Sequence, residues 1–331
     1  MATIKDVARM AGVSPSTVSR VIANSHLISF ETKKRVKKAM KKLNYVPNAI
    51  ARSLARKFTS TIAVAVTTEN RVENLHSVTN IVNGLEQAAQ ARNFNLLLTL
   101  SRSEEEGREK CLRLIQERRV DGLILLSSIH NPILINQLME ERVPFVLIGG
   151  NDQHSVPSVN HDHRWAAQTA TKHLYDQGYR EIMLLCSNRE IDQQKGVLNG
   201  YRQYVHDDRI IESSYAPDQL YSILKQAWQH KQFDAVLMTN PFLLLSLLHF
   251  AEMHQRSIPS DLGILSLYDS PLLHLSQPSI TSFSLQSIEM GKQAMNLLLD
   301  SIESPTETNS IDIRLKSELI LRTSTLRQAM A

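Results

Sequence analysis

From Thr61 onward, short runs rich in Val, Ile and Leu alternate with helical stretches, and this alternation constrains the fold more than any other feature of the chain. Residues 61–66, 95–100, 122–126 and 144–148 predict parallel strands buried on both faces, with amphipathic helices over 78–91 and 104–118. The pattern repeats with strands over 181–186, 234–238 and 262–267 and helices over 165–177, 199–205, 220–229 and 242–254. Alternating units of this kind wind right-handed parallel sheets with helices on both faces. Two sets imply two lobes, each binding ligands beyond the carboxyl ends of its strands.

The first sixty residues read differently. They hold 13 Lys and Arg against two Asp and Glu, a local charge of +11, while the rest of the chain carries −7. A basic head on a mildly acidic body suits contact with a polyanion. Thr3 and Asp6 predict a capping box, and Ile4, Val7, Ala8 and Ala11 recur at helical spacing up to Gly12. Ser14 then caps a second helix with Pro15 at its first position; Val18, Val21 and Ile22 form its inner stripe. Ser16, Thr17, Ser19 and Arg20 point outward, a polar face able to reach base edges and phosphates. A third helix begins after Ser29, with Val36, Ala39, Met40 and Leu43 inside and Lys33, Lys34, Arg35, Lys37, Lys38, Lys41 and Lys42 outside. Pro47 is expected to block its continuation, and Asn48 to cap a short helix through about residue 57.

The run from Ile4 to Ile22, IKDVARMAGVSPSTVSRVI, together with YVPNAIARSL over residues 45–54, resembles the lactose-repressor (LacI/GalR) family. Ser14 to Val18, residues 31–40 and Tyr268-Asp-Ser270 are most similar to its maltose-operon repressors. The resemblance implies an α/β chain with an all-α helix-turn-helix head (1–46), a hinge helix and linker (47–60) and a two-lobed effector-binding and dimerisation body similar to periplasmic binding proteins (61–331). It assigns DNA contacts to Thr3, Ser14, Pro15, Ser16, Thr17, Ser19, Arg20, Asn24, Asn48, Ala51 and Leu54. Ser16 and Arg20 are the base-reading candidates, since Arg bonds guanine in bidentate fashion. Leu54 sits where the family wedges a leucine into the minor groove; its alternative is a linker residue packed on its own domain.

For the body, the resemblance implies effector contacts at Asp269, Asp162, Trp165, Asn240, His76 and Lys195, and crossovers between lobes near Asn160, Leu285 and Glu318. Trp165 would stack on a sugar ring or pack in the core. A helix over 288–301 is expected to return to the first lobe. The chain departs from the family at Val197, where sugar binders carry an arginine; Arg189, Gln193 and Lys195 are the candidate substitutes. Asn240-Pro241 replaces an Asn-Asp pair, and Leu267 replaces a glycine. The implied partners are a palindromic DNA operator, a sugar effector, a second copy of the chain and, as the alternative, a protein coeffector of the catabolite-control kind.

No nucleotide-binding glycine loop, nucleophile elbow or His-Glu-x-x-His motif occurs, so we expect neither an enzyme nor a cofactor. His161-Asp162-His163 with His154 reads as a solvated pair rather than a metal site. The N-terminus lacks an apolar leader, no run is long enough for a membrane span, and no heptad tail follows Leu326. A cytoplasmic dimer, nucleoid-associated when bound to its operator, is the expectation.

Overall fold

The computed structural model describes residues 2–22, 25–46, 58–67, 75–126, 132–149, 156–186, 191–206, 209–212, 217–230, 232–304 and 311–327, with backbone alone at 75–77, 191–194 and 217–218. The chain divides into two compact units, Met1–Ser60 and Thr61–Ala331.

In the first unit, α1 (Ile4–Ala11) starts at a capping box: the Asp6 N–H donates to Thr3 Oγ1, and the Thr3 N–H donates to the Asp6 carboxylate. It ends at Gly12, whose φ of 64° is the left-handed conformation that glycine adopts without strain. The second helix, α2 (Pro15–Ile22), is capped by Ser14 Oγ, which accepts from the Thr17 N–H at 3.1 Å. Ser29 caps α3 (Phe30–Lys42). Pro47 lies outside the described residues, and α3 ends ahead of it, at Lys42. Just beyond, Asn44 takes φ 46° and the Tyr45 N–H reaches back to the Met40 carbonyl at 2.9 Å. Val7, Ala8, Ala11, Val18, Val21, Val36 and Ala39 close the core of this unit.

The second unit holds two six-stranded sheets. The first is built from β1 (Thr61–Thr67), β2 (Asn95–Ser101), β3 (Gly122–Leu126), β4 (Phe145–Ile148), β5 (Ser158–His161) and, much later in the chain, β11 (Asp312–Leu315). Its order is β11-β5-β4-β3-β1-β2, all parallel. The helices α4 (Leu75–Ala91), α5 (Glu104–Gln116) and α6 (Pro132–Glu140) connect its strands. The second sheet uses β6 (Ile182–Cys186), β7 (Ile210–Glu212), β8 (Ala235–Met238), β9 (Gly263–Ser266), β10 (Thr281–Ser284) and β12 (Glu318–Ile320). Its order is β12-β10-β9-β8-β6-β7, with β12 alone antiparallel to its neighbour. Its helices are α7 (His163–Asp176), α8 (Ile191–Tyr201), α9 (Pro217–His230), α10 (Leu244–Met253) and α11 (Pro271–Leu275). The long α12 (Ser287–Glu303) returns to the first sheet and packs on α4.

The α/β class and the doubly wound order therefore stand as expected, and both sheets reverse direction between their first and third strands, where crevices form. The chain changes sheets at residue 162, at 285–286 and at 316–317, close to the three expected crossovers. Two expectations fail. β2 is an edge strand rather than a doubly buried one, with Leu98 and Leu100 half exposed. The helix expected over 199–205 is α8, which ends at Tyr201, and Gly196 and Gly200 lie inside it. Gly200 is there because α7 passes too close for a side chain: a Cβ would stand 2.2 Å from the Arg164 carbonyl oxygen.

Candidate nucleic-acid interface and effector cleft

On α2, Ser16, Ser19 and Arg20 follow i, i+3, i+4 spacing, so they share one face, and all three are exposed. Val18 and Val21, on the opposite side, are buried. The packed core thus fixes which face of α2 meets a partner. Pro15 and Ser14 are exposed at its start, where a groove-reading helix contacts bases. The Ser14 hydroxyl is engaged, lying 2.7 Å from Ser16 Oγ and 2.9 Å from Thr17 Oγ1 as well as capping the helix. Thr3 Oγ1 likewise donates to Asp6 at 2.7 Å, which helps hold the Asp6 carboxyl below its usual range. Asn24, Asn48, Ala51 and Leu54 lie outside the described residues, as does the expected hinge helix over 47–57.

In the body, the candidates divide by what their polar atoms already do. Asp162 caps α7, accepting from the Trp165 N–H at 2.9 Å. Trp165 is partly buried, edge-on to Phe283 at 6.1 Å between centroids, with Lys316 Nζ 5.8 Å from its ring centroid. Asn240 ends the β8 segment at the switch point of the second sheet; its Oδ1 accepts from the Phe242 N–H at 2.8 Å. Lys195 is exposed on α8, while Val197 is buried among Ala166, Ala167 and Tyr201. Residue 189 and the side chains of His76 and Gln193 lie outside the described residues.

Asp269 is the most tightly held of these groups. Arg322 grips it with both terminal nitrogens, at 2.9 and 3.1 Å, and the Ser282 hydroxyl donates to the same carboxylate at 2.7 Å. Burial works against its charge, yet the bonds from Arg322 and Ser282 outweigh it and hold the carboxyl below its normal range. A carboxylate offers about four acceptor sites. The Ser270 backbone N–H also donates to Asp269, so these four donors fill the carboxylate, and a sugar hydroxyl arriving here must share or displace one of them. Sequence reasoning missed Arg322, which lies 53 positions away and carries no local motif.

The His-x-His pair is also not solvated as expected. His161 Nδ1 is enclosed without a hydrogen-bond partner, and burial, with a smaller contribution from His163, pushes its pKa down to about 3. His163 Nδ1 lies 3.2 Å from the Tyr268 hydroxyl. Among the described residues no group of His, Cys, Asp and Glu could hold a metal ion, and no helix is long and apolar enough to cross a membrane.

Comparison with known proteins accounts for both units. Residues 3–48 match the family described as bacterial regulatory proteins, lacI family, and residues 171–325 match a periplasmic binding protein-like domain. The chain is 31% identical over 324 residues to the HTH-type transcriptional regulator MalR of Streptococcus pneumoniae, covering 94% of this chain and 96% of that one. A solved complex of the transcriptional regulator CelR with cellobiose is 27% identical, with a TM-score of 0.70 over 98% of this chain and all of that one. The fold is also that of a lac repressor dimer bound to operator and an anti-inducer: TM-score 0.83, 23% identity, 98% of this chain and 99% of that one. These relatives are transcriptional regulators rather than enzymes. With a helix-turn-helix head and a two-sheet body matched along nearly its whole length, the chain belongs to the lacI family of bacterial regulatory proteins.

Proposed function

We propose that the chain is a dimeric, sequence-specific repressor of carbohydrate-utilisation genes whose grip on DNA is set by a small effector in the cleft of its body. The observation that carries this reading is α2, with Ser16, Ser19 and Arg20 held outward by a dry core in a head of charge +11. Ser16 and Arg20 read base edges, with Pro15 beside Ser16 at the start of the reading helix; Thr17 and Ser19 fix the register on the backbone. Thr3 and Ser14 act chiefly as caps that hold this geometry. Residues 47–60 act as the hinge, with Asn48, Ala51 and Leu54 at the minor groove.

The effector sits between the carboxyl ends of the two sheets, bounded by Asp162, Trp165, Asn240, Asp269 and Lys195, with His76 from the first lobe. The relatives that regulate maltose and bind cellobiose support a sugar, and maltose or a maltodextrin is the first to test. Two surfaces support pairing of copies: Leu98 and Leu100 on the edge strand β2, and Leu245 and Met253 on α10, all at least half exposed. Two-fold pairing implies a palindromic operator. Effector binding then rotates the lobes and alters the spacing of the hinges.

The test is selection of bound sequences from random DNA, with and without a panel of sugars. An enriched palindrome whose occupancy changes with one sugar supports the whole reading. An enriched palindrome indifferent to every sugar favours the protein-coeffector alternative, to which the buried Val197 lends weight, and a pull-down with phosphocarrier protein decides it.

A further inference from the structure

Of the seven cations on α3, six are exposed, and some of these align more specifically than a basic helix requires. At about 100° per residue, Phe30, Lys34, Lys37 and Lys41 fall within about 60° of arc, with Lys38 on the flank. All five are exposed, Phe30 at 81%. The stripe runs opposite the buried Val36 and Ala39, which pack with Val7, Ala8 and Ala11 of α1 and Val18 and Val21 of α2. It therefore points away from α1 and α2. The reading face of α2 points away from the same core on its own side. A duplex seated on α2 and the α3 stripe thus occupy different sides of the head.

Lysines aligned along one side of a helix repel each other, and a row of phosphates relieves that repulsion while releasing counterions. The exposed aromatic ring at the start of the stripe can pack on the deoxyribose of a backbone, a contact that carries no sequence information. We propose that Phe30, Lys34, Lys37 and Lys41 form a second, sequence-independent surface that takes the backbone of another DNA segment while α2 holds the operator. The head then bridges two duplexes, one read and one merely gripped. This rests on the DNA-reading assignment of α2, and the test distinguishes the failure of one from the failure of the other.

The experiment loads operator duplex, obtained by selection, onto beads, saturates it with the full chain, washes, and adds a labelled random duplex at rising salt. Wild type is expected to capture the second duplex. The triple variant K34Q/K37Q/K41Q should lose capture by roughly tenfold or more, with the salt slope of random-duplex binding falling by about 0.9 for each phosphate no longer neutralised. Its operator affinity should fall far less than capture does, because that duplex loses only screened, longer-range attraction. Phe30→Ala should weaken capture without altering that slope, because an apolar contact releases no counterions. Thermal melting of each variant checks that the head remains folded. Absence of capture by wild type, or equal capture by the triple variant, overturns the proposal. So does a matching loss of operator affinity, which would place the stripe on the duplex that α2 reads. Failure to select any operator would instead remove the DNA-reading assignment, and this inference with it.

Discussion

Replacing Arg322 with Met removes four hydrogen bonds made by one guanidinium. Two go to the Asp269 carboxylate at 2.9 and 3.1 Å, one to the Ile280 carbonyl at 2.6 Å and one to Ser282 Oγ at 2.7 Å. The Arg322 side chain is only 11% exposed, whereas that of Asp269 is 28% exposed, so water screens the stranded carboxylate only in part. Stranding a buried carboxylate without its cation costs about 3–5 kcal/mol. The residual exposure of Asp269 places the expectation in the lower part of that range, about 3–4 kcal/mol. At about 2–4 °C per kcal/mol for a body of this size, Tm should fall by about 6–16 °C. Asp269→Asn in the same background removes the stranded charge, so the double variant should be more stable than the summed singles imply, by about 1–3 kcal/mol. The dependence on pH has a definite sign. Asp269 is held below its unfolded value, so the stability it contributes is complete above about pH 4 and drains as pH falls through the folded value. The gap between wild type and Arg322→Met should therefore narrow in acid. Urea and thermal unfolding of the full chain at neutral and acid pH measure all of this. Additive single variants, or an Arg322→Met variant as stable as wild type, would refute the clamp.

Three further outcomes are expected. Gly84→Ala should destabilise the body, because its Cβ would stand 2.0 Å from the Ile288 carbonyl oxygen where α4 crosses α12; the overpacking cost of about 1–3 kcal/mol outweighs the gain of about 1 kcal/mol in helix propensity, and a raised Tm would contradict this. His161 resists protonation in the fold while the unfolded chain accepts a proton below about pH 6.5, so its stability contribution is whole above that value and is lost as pH falls toward about 3. His161→Asn should flatten the fall in stability across this window by up to about 1.4 kcal/mol per pH unit, as read by urea titrations at several pH values. Ser14→Ala should cost the head about 1 kcal/mol by uncapping α2, seen as a lower melting point of the helical signal of residues 1–60.

What the sequence revealed follows the range of the forces involved. The starts of α1, α2 and α3 were legible because Thr3, Ser14 and Ser29 act on N–H groups three residues away. The central strands were legible because burial on both faces demands unbroken apolar runs, as in Gly122–Leu126 and Ile182–Cys186. The three-residue strands β7 and β12 were missed because so short a segment carries no period, and their pairing is decided by neighbours elsewhere in the chain. The left-handed Asn44 just after α3 was not foreseen, because asparagine announces that conformation less clearly than glycine does. Asp269, Asp162 and Asn240 became effector candidates through the resemblance alone, and the partners that hold them were not foreseen. Arg322 closes on Asp269 only after the third crossover has brought the two together.

The central claim is that α2 reads DNA sequence with Ser16 and Arg20, and one ratio tests it most directly. Operator and scrambled duplex affinities are measured at the same salt for wild type and for Arg20→Ala. The expected result is a ratio smaller by about 1–3 kcal/mol in the variant, with scrambled-duplex binding shifted far less and the head still folded. A ratio left intact by Arg20→Ala, or reduced only through equal weakening on every sequence, would contradict it.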